Sequence, residues 1–600
     1  MNFLPISGNN FDFICVTGDA YIDHPSFGIA IISRLIESLG FNVGIIAQPI
    51  NDSDYKKCGT PKYGFMVTSG NIDSMVANYT AAKRRRSNDD YSDEGKAGKR
   101  PDRALTVYCK NIRRIFGNIH ITIGGLESSL RRFAHYDYWS DTVMPSILVD
   151  TQANILVFGM GENAIIEICK RLKNGENCDS IRGTCYLTSP KNTPLGAVEC
   201  PSFEQVTVDK KKYAIATKKQ YDEQDENSGK IVIQRHGKQM LVQNPPAFSL
   251  TQEQMDSVYN LPYMRTFHTI YKYVPSIEEV KFSITHNRGC FGFCNFCSLA
   301  LHQGRKISCR SKNSILKEAE SFTKDKDFKG YIHDIGGPTA NFRHNSCDKV
   351  GNAKHIDDLQ VKNEQKFIKM QHSVGLCKGK KCLAPVCKNL KVSHAEYLDI
   401  LRSVRKIKGI KKVFIRSGIR YDYLLLDKPE VLNEIVEHHV SGQLKIAPEH
   451  CSQFVLDKMG KPHIETFLKF KKRYFETTKK LGKEQYLVPY LMSSHPGSTL
   501  KEAIELALFL KKEKIRPEQV QDFYPTPGTI STCMYYTELD PYTLEKIYVP
   551  KLPKEKAMQR ALLQYYEPRN KDLVLEALKI AKRQDLIPLL ISDTKKKYKN

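Results

Sequence analysis

Short apolar runs that end in glycine and hand over to amphipathic runs recur along the first 199 residues. Phe13–Thr17 has the pattern of a buried strand. Phe27–Leu39 follows with apolar positions at helical spacing, between Ser26, a candidate cap, and Gly40. Asn42–Ile46 is the next strand pattern. Ile119–Ile123 runs into Gly124-Gly125, and Ile155–Phe158 runs into Gly159-Met160-Gly161-Glu162. Strands that close on glycine turns and feed helices predict an open parallel α/β sheet, with ligands beyond the carboxyl ends of its strands. Residues 83–102, KRRRSNDDYSDEGKAGKRPD, break the pattern and read as a long polar loop, either a mobile lid or a disordered insertion. Residues 200–277 are mixed and polar and read as a connector.

From 278 to 535 the alternation returns. Strand patterns lie at Val280–Ile284, Tyr331–Ile335, Lys412–Ile415, Leu444–Ala447, Tyr486–Leu491 and Gln519–Phe523, with helical patterns between them. Three of those helices open with capping-box spacing, at Ser393 with Glu396, Asp427 with Glu430 and Thr499 with Glu502. Six strands alternating with helices predict a parallel partial barrel of the (β/α)6 kind, with its active site at the strands' carboxyl ends. An insert, 339–392, separates the second strand from its helix. Residues 536–600 carry two further helical patterns, Lys554–Tyr566 and Asp572–Gln584, and read as a helical extension without chemistry of its own.

Six hundred residues call for two to four such units. No apolar run approaches the ~18 residues that a bilayer span requires, so no membrane association is expected. The N-terminal MNFLPISGNNFDF lacks a secretory pattern, which makes the cytoplasm the expected location. In that reducing compartment, 17 Cys point to metal ligation by some of them rather than to disulfides. The net charge of +25 admits a nucleic-acid partner, although the basic residues are spread along the chain. The densest clusters are Lys83–Arg86 and Lys595–Lys597, and the sequence shows no aromatic-plus-basic recognition module.

The chemistry concentrates where the first strand of the second unit runs into Asn287-Arg288-Gly289-Cys290-Phe291-Gly292-Phe293-Cys294-Asn295-Phe296-Cys297. Three thiols within eight residues cannot serve distant sites, so they share one metal centre or are coincidental, three buried Cys in a strand-to-helix turn. Structural zinc usually takes four protein ligands, which here would need Cys309 to complete the set. A 4Fe–4S cubane held by three thiolates instead leaves one iron open. Gly289 and Gly292 permit a tight wrap, and Phe291, Phe293 and Phe296 could exclude water.

C-x3-C-x2-C after the first strand of a βα unit, with aromatic Phe296 before the third Cys, resembles the radical S-adenosylmethionine (SAM) superfamily. The strings GGLESSLRRFAHYDYWSD (124–141), FGMGE (158–162), KAGKRPDRA (96–104), RSGIRYDYL (416–424), APEHCS (447–452), VQDFYPTPGT (520–529) and MYYTELDP (534–541) resemble its YgiQ-type family over almost the whole chain. The resemblance implies that Cys290, Cys294 and Cys297 hold a 4Fe–4S cluster whose fourth iron takes the amino and carboxylate groups of SAM. It implies reductive cleavage of SAM to a 5′-deoxyadenosyl radical, with the electron supplied by a flavodoxin- or ferredoxin-like donor. It places Gly336-Gly337-Pro338 where the superfamily receives the SAM amino group, with Pro338 in the place of an acidic residue. Ser417 and Glu449, at later strand ends, are candidates for ribose or carboxylate contacts. The N-terminal part of the family resembles a cobalamin-binding Rossmann domain. Its D-x-H-x-x-G signature is not met, because Asp23 and His24 are adjacent and Gly28 stands four residues after His24. The sequence thus speaks against cobalamin, and His24 reads as a local hydrogen-bonding residue.

A second group, Cys347, Cys377, Cys382 and Cys387, lies in the insert among Lys378, Lys380 and Lys381. Cations favour thiolates, and four thiols in one insert suggest a second metal site, an auxiliary cluster or a structural zinc. The competing functions are therefore a radical SAM enzyme of unknown substrate and a non-catalytic iron–sulfur or zinc protein that binds RNA or a partner through its basic surface. A cobalamin-dependent methyltransferase is a variant of the first. No residue is singled out as a catalytic acid, base or hydrogen donor.

Overall fold

The computed structural model describes residues 2–351 and 377–591. Most of the insert between Cys347 and Cys377, and the cluster Lys595–Lys597, lie outside them.

The N-terminal strand patterns form one mixed sheet of nine strands. They are β1 (Phe13–Thr17), β2 (Val43–Ala47), β3 (Gly64–Thr68), β4 (Ile121–Gly124), β5 (Ile155–Val157), β6 (Thr184–Thr188), β7 (Val198–Cys200), β8 (Val232–His236) and β9 (Gln239–Gln243). Their spatial order is β7-β8-β9-β6-β5-β4-β3-β1-β2. The five strands from β2 to β5 pair in parallel, and β6, β9 and β8 join them antiparallel. The chain runs from β1 to β2 on one side and then to β3 on the other, so the strand order reverses at β1. Such a switch point leaves a crevice at the strands' carboxyl ends.

Two expectations change here. Residues 200–277 are not a mere connector, because β8 and β9 complete the sheet past residue 199. Residues 83–102 are neither lid nor disordered insertion. Arg100 is fully buried and reaches Asp19 at 2.8 Å and Asp89 at 3.3 Å, and Gln48 donates to Ser92 at 2.7 Å. The polar composition that imitates a loop supplies a buried charge network that binds the segment to the sheet. Ser26 does not cap the first helix, which runs Gly28–Ser38. Its own N–H donates to His24 Nδ1 at 3.1 Å, and Asn71 Oδ1 takes the Gly28 N–H at 3.0 Å.

The second unit has strands at the predicted places with changed bounds: Val280 ends a short helix, Ile277–Val280, the second pattern splits at His333, and the fourth and fifth strands are longer than expected. The strands are β10 (Ser283–Thr285), β11 (Tyr331–Ile332), β12 (Asp334–Gly336), β13 (Lys412–Val413), β14 (Gln443–Glu449), β15 (Tyr486–Ser493) and β16 (Gln521–Asp522). β10 pairs with β12, β11 with β13, β14 with β15 and β15 with β16. Ile284, Ile335, Val413, Leu444 and Phe470 share its core. Of the three capping boxes, Thr499 with Glu502 forms as expected. Asp427 instead accepts from the N–H and Nδ1 of His394 at 2.9 and 2.7 Å, and Glu396 pairs with buried Arg343 at 2.9 Å.

The two units are not separate bodies. The core around Ile14, Phe65 and Ile123 continues into Leu456, Met459, Met492 and Phe523 of the second unit. Helices Pro553–Leu563 and Lys571–Ile580 pack on Leu500–Lys512 through Ala507, Leu562 and Ala577. Among the described residues no helix is long and apolar enough to cross a membrane.

Candidate active site

The strand β10 ends at Thr285, level with Gly336 of β12. The chain then turns through Asn287 and Arg288 into the cysteine loop. Gly289, at φ +86°, lies so close to Lys306 that an added Cβ would stand 1.9 Å from that carbonyl. Only glycine permits both the left-handed turn and the approach. Backbone bonds fix the loop at both ends: the Cys290 N–H donates to Gly304 O at 3.0 Å, and the Asn295 N–H to Met459 O at 2.9 Å.

The three thiols lie close enough to influence one another. Burial pushes Cys297 up to about 12, and Cys294 and Cys290 add to the rise. Cys290 Sγ lies 3.4 Å from Thr339 Oγ1. Cations stand against the group. Arg420 Nη1 lies 3.6 Å from Cys294 Sγ, while the rest of its guanidinium is held by Asp422 at 2.8 and 2.5 Å. Gly292 makes room for it, since a Cβ there would sit 2.4 Å from Arg420 Nη1. Lys381 comes from the insert, passes Gly460 and donates to Phe293 O at 2.5 Å. Burial holds it down to about 8, a fall that the nearby Cys294 opposes. Positive charge beside thiols favours their ionised, metal-binding form. Cys309 does not join them, because its thiol donates to Arg343 O at 2.9 Å.

The predicted SAM-side residues meet the same loop. A Cβ at Gly337 would stand 2.0 Å from Asn287 Oδ1, and one at Gly336 would stand 1.8 Å from Ser417 Oγ. Asn287 Oδ1 is buried and unpartnered, as is Asn295 Oδ1. Unsatisfied buried acceptors are costly and point to a donor brought by a ligand. Asp334, beneath Gly336, takes the N–H groups of Arg416 and Ser417 at 2.8 and 3.2 Å. Glu449, at φ +69° on a bulge of β14, is buried with Lys461 at 3.9 Å. Burial raises its carboxyl above the ordinary range, opposed by Lys461 and Arg420. Phe296 packs against the N-terminal core and edge-on to His495, at 6.3 Å between ring centres.

Sequence reasoning missed Asn287, Arg420 and Lys381. Arg420 stands inside the quoted string RSGIRYDYL, and its pairing with Asp422 two residues on was the available signal. The sequence reads Lys381 as a cation beside the second cysteine group, and its reach to Phe293 and the first group depends on the fold of the insert.

A cleft of about 470 Å³ joins this site to the N-terminal sheet. Val67, Gly124 and Met160 line it from the sheet's switch point, and Arg288, Gly337 and Pro338 line it from the second unit. A buried Arg288–Glu162 pair spans the two units at this cleft. His24 is buried, kept neutral by its surroundings, and is not among the lining residues.

The second group also converges. Cys347, Cys377, Cys382 and Cys387 all line one cavity of about 580 Å³. Arg305 donates to the Cys377 and Lys380 carbonyls at 3.2 and 2.8 Å.

Residues 5–283 match a family model described as Radical SAM N-terminal, and residues 518–591 match one described as a domain of unknown function, DUF3362. A UPF0313 protein of Clostridium botulinum (strain 657 / Type Ba4) is 55% identical over 605 residues, covering 98% of this chain and 91% of its own length. A UPF0313 protein of Clostridium perfringens (strain SM101 / Type A) is 51% identical over 604 residues, with 98% and 88% covered. Among solved structures, the radical SAM methyltransferase TsrM of Kitasatospora setae, with cobalamin and a 4Fe–4S cluster bound, aligns at TM-score 0.46 and 13% identity, covering 88% of this chain and 76% of that one. The cobalamin-dependent SAM radical enzyme OxsB with aqua-cobalamin bound aligns at TM-score 0.47 and 11% identity, covering 96% and 71%.

Proposed function

We propose that this chain, which belongs to the UPF0313 family of radical SAM proteins, binds a 4Fe–4S cluster through Cys290, Cys294 and Cys297 and cleaves SAM reductively. One observation carries the reading: the three thiols follow β10, whose end is level with Gly336 of β12; Cys290 Sγ lies 3.4 Å from Thr339 Oγ1 just past the glycine pair, and the unpartnered Asn287 Oδ1 lies against Gly337. A cluster held there would supply the electron for reductive cleavage of SAM to methionine and a 5′-deoxyadenosyl radical.

The protein's own residues then have definite tasks. Arg420, fixed by Asp422, offsets the negative charge of the thiolates. The carbonyls around Gly336 and Gly337 and the Asn287 amide oxygen accept from a ligand ammonium, a role for which Pro338 offers no carboxylate. Ser417 and Glu449 stand ready for hydroxyl groups of a ligand. The electron comes from a flavodoxin- or ferredoxin-like donor. The substrate class stays open to nucleic acid, protein or small molecule.

Anaerobically reconstituted chain given SAM and dithionite should form 5′-deoxyadenosine. A cluster-loaded chain that forms none would leave the non-catalytic reading.

A second reading is cobalamin-dependent methyl transfer, favoured by the cleft that opens from the sheet's switch point onto Gly337 and Pro338. An absorbance titration with hydroxocobalamin decides: no spectral change removes this variant.

A further inference from the structure

We propose that Cys347, Cys377, Cys382 and Cys387 hold a second iron–sulfur cluster, distinct from the one at Cys290, Cys294 and Cys297. Cys347 and Cys377 are far apart in the chain, yet all four line the same cavity. Cys382 lies within electrostatic range of both Cys347 and Cys387. Each cysteine carbonyl is tied into a turn. Cys347 O accepts from Val350 N–H at 3.2 Å, Cys377 O from Lys380 N–H at 3.4 Å, Cys382 O from Cys387 N–H at 3.0 Å and Cys387 O from Leu390 N–H at 3.0 Å. These turns fix the backbone that carries the thiols.

The charge of the cavity suits a cluster. Arg305, Lys349, Lys380, Lys381, Lys458 and Lys461 line it. The acids present, Asp457 and Asp540, are already paired with His463 at 2.8 Å and Lys458 at 2.9 Å. The Arg305 Nε is buried and unpartnered. Four thiolates around a cubane carry net negative charge, which such a lining stabilises.

Size separates a cluster from a lone ion. Zinc draws its sulfurs to about 2.3 Å from one point. The four cysteines instead stand around a cavity of about 580 Å³, far roomier than one ion needs. The wall is partly apolar. Cys382 and Cys290 pack against one hydrophobic cluster that contains Leu383 and the stacked Phe291 and Phe342, whose rings lie 3.7 Å apart. The two cysteine groups are thus neighbours across an aromatic layer.

The test uses the full chain reconstituted anaerobically with ferrous iron and sulfide. Wild type should bind eight irons and eight sulfides, as two cubanes. A Cys290→Ala, Cys294→Ala, Cys297→Ala variant should keep about half of each, with a reducible cluster whose electron paramagnetic resonance spectrum does not respond to SAM. Adding Cys382→Ala and Cys387→Ala should remove the rest. Wild type that saturates at four irons, or a triple variant that binds one zinc and no sulfide, overturns the proposal. The wild-type iron count keeps the test decisive if a variant fails to fold. Failure of the SAM-cleavage reading would look different: no 5′-deoxyadenosine from wild type, with the cluster of the triple variant intact.

Discussion

The two cysteine groups share a wall but are held in different ways. The first is a loop whose two ends hydrogen-bond through backbone to Gly304 and Met459, both of the second unit. The second is tied to the rest by reaching side chains: Arg305 to its carbonyls, Lys378 to Glu223 at 2.7 Å and Lys381 to Phe293 O. Backbone anchoring places a ligand set with little freedom, whereas side-chain anchoring allows a set to be loosened without loss of the fold. The first group is therefore built for a fixed reaction geometry and the second for attachment.

The largest effect should come from breaking the first group alone. Cys294→Ala removes a thiol beside Arg420 and Lys381 and should bring 5′-deoxyadenosine formation to background. Cys382→Ala should leave formation with dithionite measurable. Equal loss in both, read by chromatography of the nucleoside, would erase the distinction between them.

Acid should also act on the first group. His286, His450 and His495 are buried near it, and burial holds each down to about 3. His286 donates its backbone N–H to Gly336 O at 2.9 Å, and its Nε2 lies 2.8 Å from Ala340 O. In the unfolded chain each would titrate near 6.5. Between those values the unfolded state binds more protons, so stability is full above pH 6.5 and is lost as the pH falls. Three such groups give up to about 4 kcal/mol per pH unit near pH 5. Denaturant melts from pH 7 to 4.5 should show this slope; a flat profile would refute it.

Next in size is Gly337→Ala. The new methyl would meet Asn287 Oδ1 at 2.0 Å and the Asn287 carbonyl at 2.7 Å. Overpacking of this kind costs about 1–3 kcal/mol; carried by the SAM-bound state, that is a fall in SAM affinity of about 5- to 150-fold. Iron content should stay at the wild-type value. Calorimetric titration with SAM gives the first number and iron analysis the second.

These effects also mark what the sequence could disclose. The cysteine spacing, the glycine pair and the order of strands are local patterns, and each stands where its pattern put it. Strand ends such as Ser417 and Glu449 follow from that order. Arg100 was hidden because a basic, acidic, glycine-rich run reads as solvated, and only Asp19, on another segment, makes it a buried anchor. Strands β8 and β9 were hidden because their partner β6 lies across a polar stretch. Lys381 and Arg420 reach the cysteines over long sequence separations, and periodicity says nothing about such contacts. Ser26 and Asp427 had capping-type sequences, but His24, Asn71 and His394 offered their neighbours other partners.

The smallest effect tests the attachment of the second group. Lys378, its side chain 44% exposed, pairs with Glu223, which is buried and still holds the Lys230 N–H at 2.9 Å when the lysine is gone. Exposed pairs contribute at most about 1 kcal/mol, so Lys378→Ala should shift a denaturant midpoint only slightly. Arg305 is buried, stacks on Phe293 at 4.5 Å and satisfies two carbonyls. Hydrogen bonds from a charged donor are each worth about 1.5–3 kcal/mol, so Arg305→Ala should cost about 3 kcal/mol. Arg305→Lys should recover part of that, since an ammonium can reach one carbonyl but cannot fork across two. If Lys378→Ala proved as costly as Arg305→Ala, the second group would be held from the surface, and the aromatic layer between the two groups would not be its anchor.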